Sequence, residues 1–214
     1  MATSRNEPPS LLERAAWNGL PPIIRTVGRV VWRLDVDARW GFPDPPFVVA
    51  SNHHSFLDPL VVGSALRAKV RFLGLVDLFG NYRWLDHVLE TFDVIPLQRG
   101  VVPLGPVRTA LTHLERGGAV GLFPEGTRHW EFDPERARPG AAWLATRTGV
   151  PLVPVAVSGT EKVLGVDNRL RTGRIRVRIG PPLTADSSHR GAVGDLTAQW
   201  GEWVSQALRQ QTPG

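Results

Sequence analysis

Short apolar runs alternate along this chain with segments of helical periodicity, and no other feature of the sequence limits the possible folds as strongly. The apolar runs, which predict strands, cover residues 47–50, 70–73, 94–97, 119–123, 152–157 and 174–179. The helical patterns cover about 59–67, 78–90, 105–116, 140–148 and 192–208. Because alternating strands and helices pack as a sheet between helical layers, the sequence predicts a single-domain α/β fold with a mixed, largely parallel sheet flanked by helices.

A segment of different character precedes the predicted domain. Residues 1–10 predict a flexible polar tail, residues 11–40 an amphipathic helical segment interrupted at Pro21-Pro22, and residues 41–210 the domain itself. One side of the helical segment is apolar and another carries arginines, which is typical of a helix in a membrane interface and also of a helix packed on a core. No apolar stretch reaches the roughly 18 residues of a membrane-spanning helix, and the first thirty residues do not resemble a secretory signal.

The charge balance indicates anionic partners. The net charge is +5, and only two of the 25 basic residues, Lys69 and Lys162, are lysines. Guanidinium groups suit the phosphates of nucleic acid, lipid headgroups or coenzyme A, although an arginine bias also arises from genomic base composition. The arginines are spread along the chain without a nucleic-acid recognition motif, so a nucleic-acid-binding module is an alternative that rests on charge alone. The absence of cysteine excludes a catalytic thiol and thiolate metal sites.

A polar block follows the first predicted strand and precedes a helix. It reads Asn52-His53-His54-Ser55-Phe56-Leu57-Asp58. At the carboxyl end of a strand in an α/β sheet, two histidines and an aspartate offer a general base and a carboxylate that orients it. His54 and Asp58 are neighbours on a regular helix, whereas His53 reaches Asp58 only if it lies on the turn before the helix. A structural histidine pair and a metal site are the alternatives. No second cluster of ligands at suitable spacing in the sequence supports the metal site.

Two further blocks follow later strands. One of them reads Phe123-Pro124-Glu125-Gly126-Thr127-Arg128. Its glycine lets the backbone turn sharply and approach a ligand, while Glu125 and Arg128 present opposite charges from one short loop. The other block closes a strand with Arg99. In isolation, the block from Phe123 to Arg128 is also consistent with a solvated turn and a surface ion pair. The block that ends in Arg99 does not by itself indicate a function.

Together with one more short block, these resemble the glycerolipid acyltransferase family, which includes 1-acylglycerol-3-phosphate acyltransferases. The shared blocks, in the family's order and spacing, are His53-x-x-x-x-Asp58, Ile95-Pro96-x-x-Arg99, Phe123 to Arg128 and Val153-Pro154-Val155. They cover roughly residues 45 to 160, most of the predicted domain. The first and third blocks are the specific ones.

The resemblance implies an O-acyltransferase mechanism without an acyl-enzyme. His53 is the implied general base and Asp58 orients it. The base removes the proton from an acceptor hydroxyl as that oxygen attacks the thioester carbonyl of acyl-coenzyme A or acyl carrier protein. No cofactor and no metal are expected, and the lack of cysteine fits this chemistry.

The resemblance also implies how the substrate is held. The implied substrate-binding residues are Arg99, Glu125, Gly126, Thr127 and Arg128. Glu125 holds a glycerol-type acceptor and the two arginines bind its phosphate, which matches guanidinium geometry. The expected partners are therefore acyl-coenzyme A or acyl carrier protein, a lysolipid such as 1-acylglycerol-3-phosphate in phospholipid biosynthesis, and a membrane surface, with no nucleic acid. The expected location is peripheral, on the cytoplasmic face of the membrane.

Two positions depart from the pattern of similar proteins. Leu75 stands where many of them carry a lysine, and His129 where many carry a serine. A missing cation near a phosphate site leaves other lipid or glycolipid hydroxyls open as acceptors. A catalytically inactive, membrane-binding homologue is a further alternative, against which the intact motif residues argue.

Overall fold

Seven strands form one sheet in the computed structural model, which describes residues 11–75, 94–97, 104–165, 167, 169–186 and 189–211. The strands are β1 Asp35–Asp37, β2 Phe47–Ser51, β3 Val70–Leu75, β4 Ile95–Leu97, β5 Ala119–Leu122, β6 Leu152–Ser158 and β7 Arg176–Ile179. Their order in the sheet is β1-β7-β6-β2-β5-β3-β4. The pairing of β6 with β7 is antiparallel and the other five pairings are parallel, so the predicted mixed, largely parallel sheet is confirmed.

Helices connect most of these strands. They are α1 Leu11–Trp32, α2 Asp58–Ala65, α3 Leu104–Glu115, α4 Gly140–Thr148, α5 Thr160–Val163 and α6 Ala192–Gln211. The interruption predicted at Pro21-Pro22 does not occur, because α1 continues through both prolines. A proline removes its own N–H donor, while the hydrogen bonds on either side of it can keep a helix continuous. Among the described residues, no helix combines the length and the apolar character needed to cross a membrane.

The helices cover both faces of the sheet. Side chains of β2 alternate between the two faces, with Phe47 and Val49 in one apolar core and Val48 and Ala50 in the other. The first core includes α2, against which α1 packs, and the second includes α3, α4 and α6. All four of these β2 side chains are fully buried, as expected for a central strand of a parallel sheet covered on both sides.

Two short elements were not predicted from the sequence. Strand β1 lies within the segment 11–40, which was predicted to be helical, and pairs with β7 at the edge of the sheet. Helix α5 follows β6. Neither has an apolar run or a helical period long enough to recognise, because β1 has three residues and α5 has four. The helix predicted at 78–90 lies outside the described residues.

The sheet order brings the motif blocks together. Strand β2 lies between β5 and β6 and runs parallel to both, so the carboxyl ends of the three strands meet at one edge. The Asn52 side chain extends this pairing, because its Nδ2 donates to the Val157 carbonyl and its Oδ1 accepts from the Val157 N–H, both at 2.8 Å. The Trp200 indole of α6 donates to the Ala50 carbonyl at 2.8 Å. Hydrogen bonds with β6 and α6 therefore fix the position at which the chain leaves β2.

Candidate active site

Asp58 is the centre of the loop that follows β2. Its side chain is fully buried, and its Oδ2 accepts hydrogen bonds from the Ser55 N–H and the His54 N–H at 2.7 Å and lies 2.9 Å from His53 Nδ1. Helix α2 begins at Asp58, so both histidines lie on the turn before it. The helical arrangement in which His54 and Asp58 are one turn apart does not form, because the carboxylate instead binds the backbone of the turn.

The two histidines have different partners. The Nδ1 of His53 faces the Asp58 carboxylate, and its Nε2 has no hydrogen bond to any described residue. The Nδ1 of His54 lies 2.5 Å from the His129 carbonyl oxygen, which can only accept, so this nitrogen carries a proton. A ring stack with Phe123, with centroids 4.1 Å apart, holds the His53 imidazole in place. With its side chain 16% exposed, His53 combines an oriented ring with an accessible acceptor nitrogen.

Glu125 joins the loop after β5 to the histidine loop. Its Oε1 accepts a hydrogen bond from the His53 backbone N–H at 2.7 Å, and the residue is only 3% exposed. Its buried Oε2 has no hydrogen-bond partner among the described residues. Burial raises the pKa of Glu125 to about 7, an effect that the hydrogen bond from His53 partly opposes. One carboxylate oxygen thus holds the His53 backbone in place, and only the other oxygen is available to a substrate.

Glu125→Gln is expected to stabilise the protein increasingly as the pH rises from about 4.5 to about 7. Below the ordinary pKa of 4.5, both the folded and unfolded states hold the proton. Above it the unfolded carboxyl ionises first, so the native state loses up to about 3 kcal/mol by pH 7, and glutamine removes this loss while keeping an acceptor for the His53 N–H. Urea unfolding of both proteins at pH 5 and pH 8 measures the difference. A difference independent of pH would show that the folded pKa of Glu125 is not raised.

His129 makes further bonds between the two loops. Its backbone N–H donates to the His53 carbonyl at 2.9 Å, and its own carbonyl accepts from His54. The guanidinium of Arg136 donates to His129 Nδ1 at 3.1 Å, so the proton of a neutral His129 is on Nε2, which lies 2.9 Å from Thr127 Oγ1. The Thr127 oxygen accepts this hydrogen bond, which leaves the hydroxyl hydrogen available to a ligand.

The remaining predicted site residues differ in what surrounds them. The Arg128 guanidinium lies over the Phe56 ring, 3.6 Å from its centroid. Partial burial lowers the pKa of Arg128, and the negative charge of Asp58 opposes this effect. Gly126 has a φ of +71°, a conformation that favours glycine. Arg99 lies outside the described residues. The structure therefore gathers His53, Asp58 and the loop from Glu125 to Arg128 at one edge of the sheet.

Sequence reasoning missed several contacts in this site. His129 was notable only as a departure from a pattern, and Arg138, whose guanidinium lies beside Gly126, had no motif to mark it. The amide of Asn52 was part of a motif, but the sequence did not indicate its partner Val157. In the described part of the chain, no group of three or more histidine, cysteine, aspartate or glutamate residues could hold a metal ion.

The chain is similar in sequence to known proteins. The family model described as "Acyltransferase" matches residues 33–158. The chain is 29% identical over 170 residues to 1-acyl-sn-glycerol-3-phosphate acyltransferase of Bacillus subtilis, covering 78% of this chain and 80% of that protein. It is 31% identical over 159 residues to the chloroplastic 1-acyl-sn-glycerol-3-phosphate acyltransferase BAT2 of Brassica napus, covering 71% of this chain but only 45% of that one.

A solved structure has the same fold. The crystal structure of the 1-acyl-sn-glycerophosphate (LPA) acyltransferase PlsC from Thermotoga maritima superimposes with a TM-score of 0.70. The match covers 93% of this chain and 80% of that chain at 21% sequence identity. At this level of identity the likeness concerns the arrangement of strands and helices.

Proposed function

Since the chain belongs to the acyltransferase family and is an acyltransferase, we propose that it transfers a fatty acyl group from a coenzyme A or acyl carrier protein thioester to the free hydroxyl of 1-acylglycerol-3-phosphate. The observation that carries this proposal is the pair formed by His53 and Asp58, in which Nδ1 is held at 2.9 Å and Nε2 has no hydrogen bond to a described residue. The names of the relatives support the choice of acceptor.

The proposed reaction uses His53 as base and then as acid. Its Nε2 takes the proton of the acceptor hydroxyl while that oxygen forms a bond to the thioester carbonyl carbon. Asp58 accepts the Nδ1–H and balances the positive charge of the imidazolium. The tetrahedral intermediate then collapses, the carbon–sulfur bond breaks, and the leaving thiolate takes the proton from Nε2. The products are an ester and a free thiol, so no covalent enzyme intermediate and no cofactor is required.

The loop from Glu125 to Arg128 is the proposed acceptor site. Arg128 offers a guanidinium to the phosphate, and the Thr127 hydroxyl has a hydrogen to donate. Glu125 has one buried oxygen left for a glycerol hydroxyl, at most one contact, since its other oxygen holds the His53 N–H. Arg99 is a further proposed ligand of the phosphate, although it lies outside the described residues.

A panel of acceptors tests this proposal. The purified protein is mixed with palmitoyl-coenzyme A, and thiol release is followed with 1-acylglycerol-3-phosphate, other lysophospholipids and 1-monoacylglycerol. We expect the highest kcat/KM with 1-acylglycerol-3-phosphate. Repeating the reaction with palmitoyl-acyl carrier protein identifies the preferred donor. Absence of thiol release with every donor and acceptor would contradict the proposed function, and preference for an acceptor without phosphate would contradict the acceptor assignment.

We further propose that α1 attaches the protein to the cytoplasmic face of a membrane without crossing it. Exposed apolar side chains on this helix support the idea, since Val30 is 78% and Ile23 is 58% exposed to solvent, and Val27 is also exposed. Arg25 and Arg29 are on the same helix and can meet anionic headgroups. The net charge of +5 favours the same kind of surface.

The double variant Val27→Ser/Val30→Ser is expected to reduce binding to anionic vesicles by about tenfold or more, because each valine contributes up to about 1.5–3 kcal/mol when fully buried in an apolar environment. Co-sedimentation with phosphatidylcholine vesicles that contain phosphatidylglycerol measures the bound fraction. Leu104→Ser/Leu170→Ser, which changes two exposed leucines outside α1, is the matched control. Equal binding of both variants and wild type would contradict the role of α1. Deleting residues 1–40 is a poorer test, since it also removes β1 from the sheet.

A further inference from the structure

We propose that Arg138, which lies outside all of the motif blocks, binds a phosphate monoester of the substrate together with Arg128. This inference rests on the proposed function. It follows from the position of the Arg138 guanidinium, from the absence of a partner for this group among the described residues, and from the donors in the neighbouring loop.

The Arg138 guanidinium lies directly over the loop that carries the proposed acceptor site. The backbone N–H of Arg138 donates to the Pro124 carbonyl at 2.8 Å, which fixes where the side chain starts. A Cβ at position 126 would be 3.1 Å from the Cζ of Arg138 and 3.2 and 3.3 Å from its Nε and Nη1. The glycine in this motif therefore leaves room for a guanidinium on one side of the loop.

The Arg138 guanidinium has no partner in the part of the chain that the structure describes. The side chain is exposed, and no described residue forms an ion pair or a hydrogen bond with its guanidinium. Nearby Arg136 differs, because its Nε lies 3.0 Å from Asp133 Oδ2 and its Nη1 donates to His129. Arg136 thus supports the loop, while none of the donors of the Arg138 guanidinium is taken by a described residue.

The groups beside Arg138 suit a phosphate monoester. Thr127 follows Gly126 and has a hydroxyl hydrogen to donate, and Arg128 follows it with a second guanidinium held on the Phe56 ring. A phosphate monoester carries a charge between −1.5 and −2 near neutral pH, as is known for phosphorylated side chains, and two guanidinium groups balance it with paired N–H donors. Thr127 and Arg128, at neighbouring loop positions, together with the Arg138 guanidinium beside Gly126, therefore offer the donors of a phosphate-binding site.

The phosphate can belong to either substrate, because 1-acylglycerol-3-phosphate and coenzyme A both carry a phosphate monoester. The experiment compares Arg138→Gln with Arg147→Gln, which removes the same charge from an exposed position near the end of α4. The acceptor arm measures Kd for a soluble short-chain 1-acylglycerol-3-phosphate without donor, and KM for the same lipid and for 1-monoacylglycerol. The donor arm measures KM for an acyl-coenzyme A and for the matching acyl-pantetheine, which lacks the nucleotide phosphates.

We expect Arg138→Gln to raise Kd and KM for 1-acylglycerol-3-phosphate about tenfold or more, since hydrogen bonds to charged groups have this magnitude. The expected kcat of Arg138→Gln stays within a few-fold of wild type, and its KM for 1-monoacylglycerol is unchanged. Arg147→Gln should have the wild-type values of Kd and KM. Arg138→Lys should recover part of the affinity. A rise confined to the KM of acyl-coenzyme A, absent with acyl-pantetheine, would support the proposal and assign the phosphate to the donor.

Wild-type values of Kd and of every KM in Arg138→Gln would overturn the inference. Its failure is separate from that of the proposed function. If the wild-type protein transfers no acyl group but Arg138→Gln still loses binding of the lipid probe, the phosphate site is supported and the proposed reaction is wrong. If the wild-type protein has full transfer activity and Arg138→Gln has wild-type constants, the reaction is supported and the phosphate site is wrong.

Discussion

His53→Ala is expected to lower the rate of thiol release by a factor of about 10²–10⁴, the usual contribution of a general base. The variant lacks the nitrogen that takes the hydroxyl proton, while the loop keeps its main supports: the Glu125 carboxylate still accepts the backbone N–H of residue 53, and Asp58 still accepts from His54 and Ser55. The loss should therefore fall on kcat, with little change in KM. Release of free thiol from acyl-coenzyme A in the presence of 1-acylglycerol-3-phosphate measures both constants.

His54→Ala is the matched control for this experiment. It removes the other imidazole of the pair, and with it the hydrogen bond to the His129 carbonyl. We expect a moderate effect on stability and a much smaller effect on kcat than in His53→Ala. Full activity in His53→Ala would refute the mechanism, and a large loss only in His54→Ala would move the base to the neighbouring residue.

Asp58→Asn is expected to lower kcat by about 10²–10⁴-fold and also to destabilise the fold. The uncharged amide no longer balances an imidazolium, and its NH2 group competes for the side that faces His53 Nδ1. The same oxygen that faces this ring also accepts two backbone N–H groups, and a buried donor that loses its partner costs about 1–3 kcal/mol. Thiol release and urea unfolding of the same preparation separate the two effects.

Ser64→Ala is the control for the change in stability, since it removes another buried polar group from the same helix. The Ser64 hydroxyl donates to the Val61 carbonyl within that helix, so its loss should leave activity unchanged. Wild-type activity in a folded Asp58→Asn protein would show that the carboxylate does not support the base. Loss of activity in proportion to the unfolded fraction alone would reduce Asp58 to a structural residue.

The sequence predicted the layers of this fold because its central strands are uninterrupted apolar runs. Residues 47–50 and 152–157 have no polar interruption, and both are buried strands beside each other in the sheet. The short edge strand β1 was missed for the opposite reason. Its residues Asp35 to Asp37 have no apolar pattern, and their strand conformation depends on pairing with β7, which lies some 140 residues away in the sequence.

Part of the site could be predicted in the same way, since motif residues at the ends of neighbouring strands must meet. The choice between the histidines could not be made from spacing, because it depends on where α2 begins. That helix begins at Asp58, whose carboxylate binds the N–H groups of the preceding turn. The position of Arg138 likewise depends on the path of a loop with no periodicity. Contacts of this kind are set by tertiary packing and leave no pattern in the sequence.

His129 shows why a motif position can vary while the site keeps its shape. The bonds that connect it to His53 and His54 use its own backbone N–H and carbonyl, which do not depend on its side chain. A serine, or any residue other than proline, can form the same two bonds. The path of the main chain thus maintains the connection between the two loops, while the His129 side chain adds separate contacts to Thr127 and Arg136.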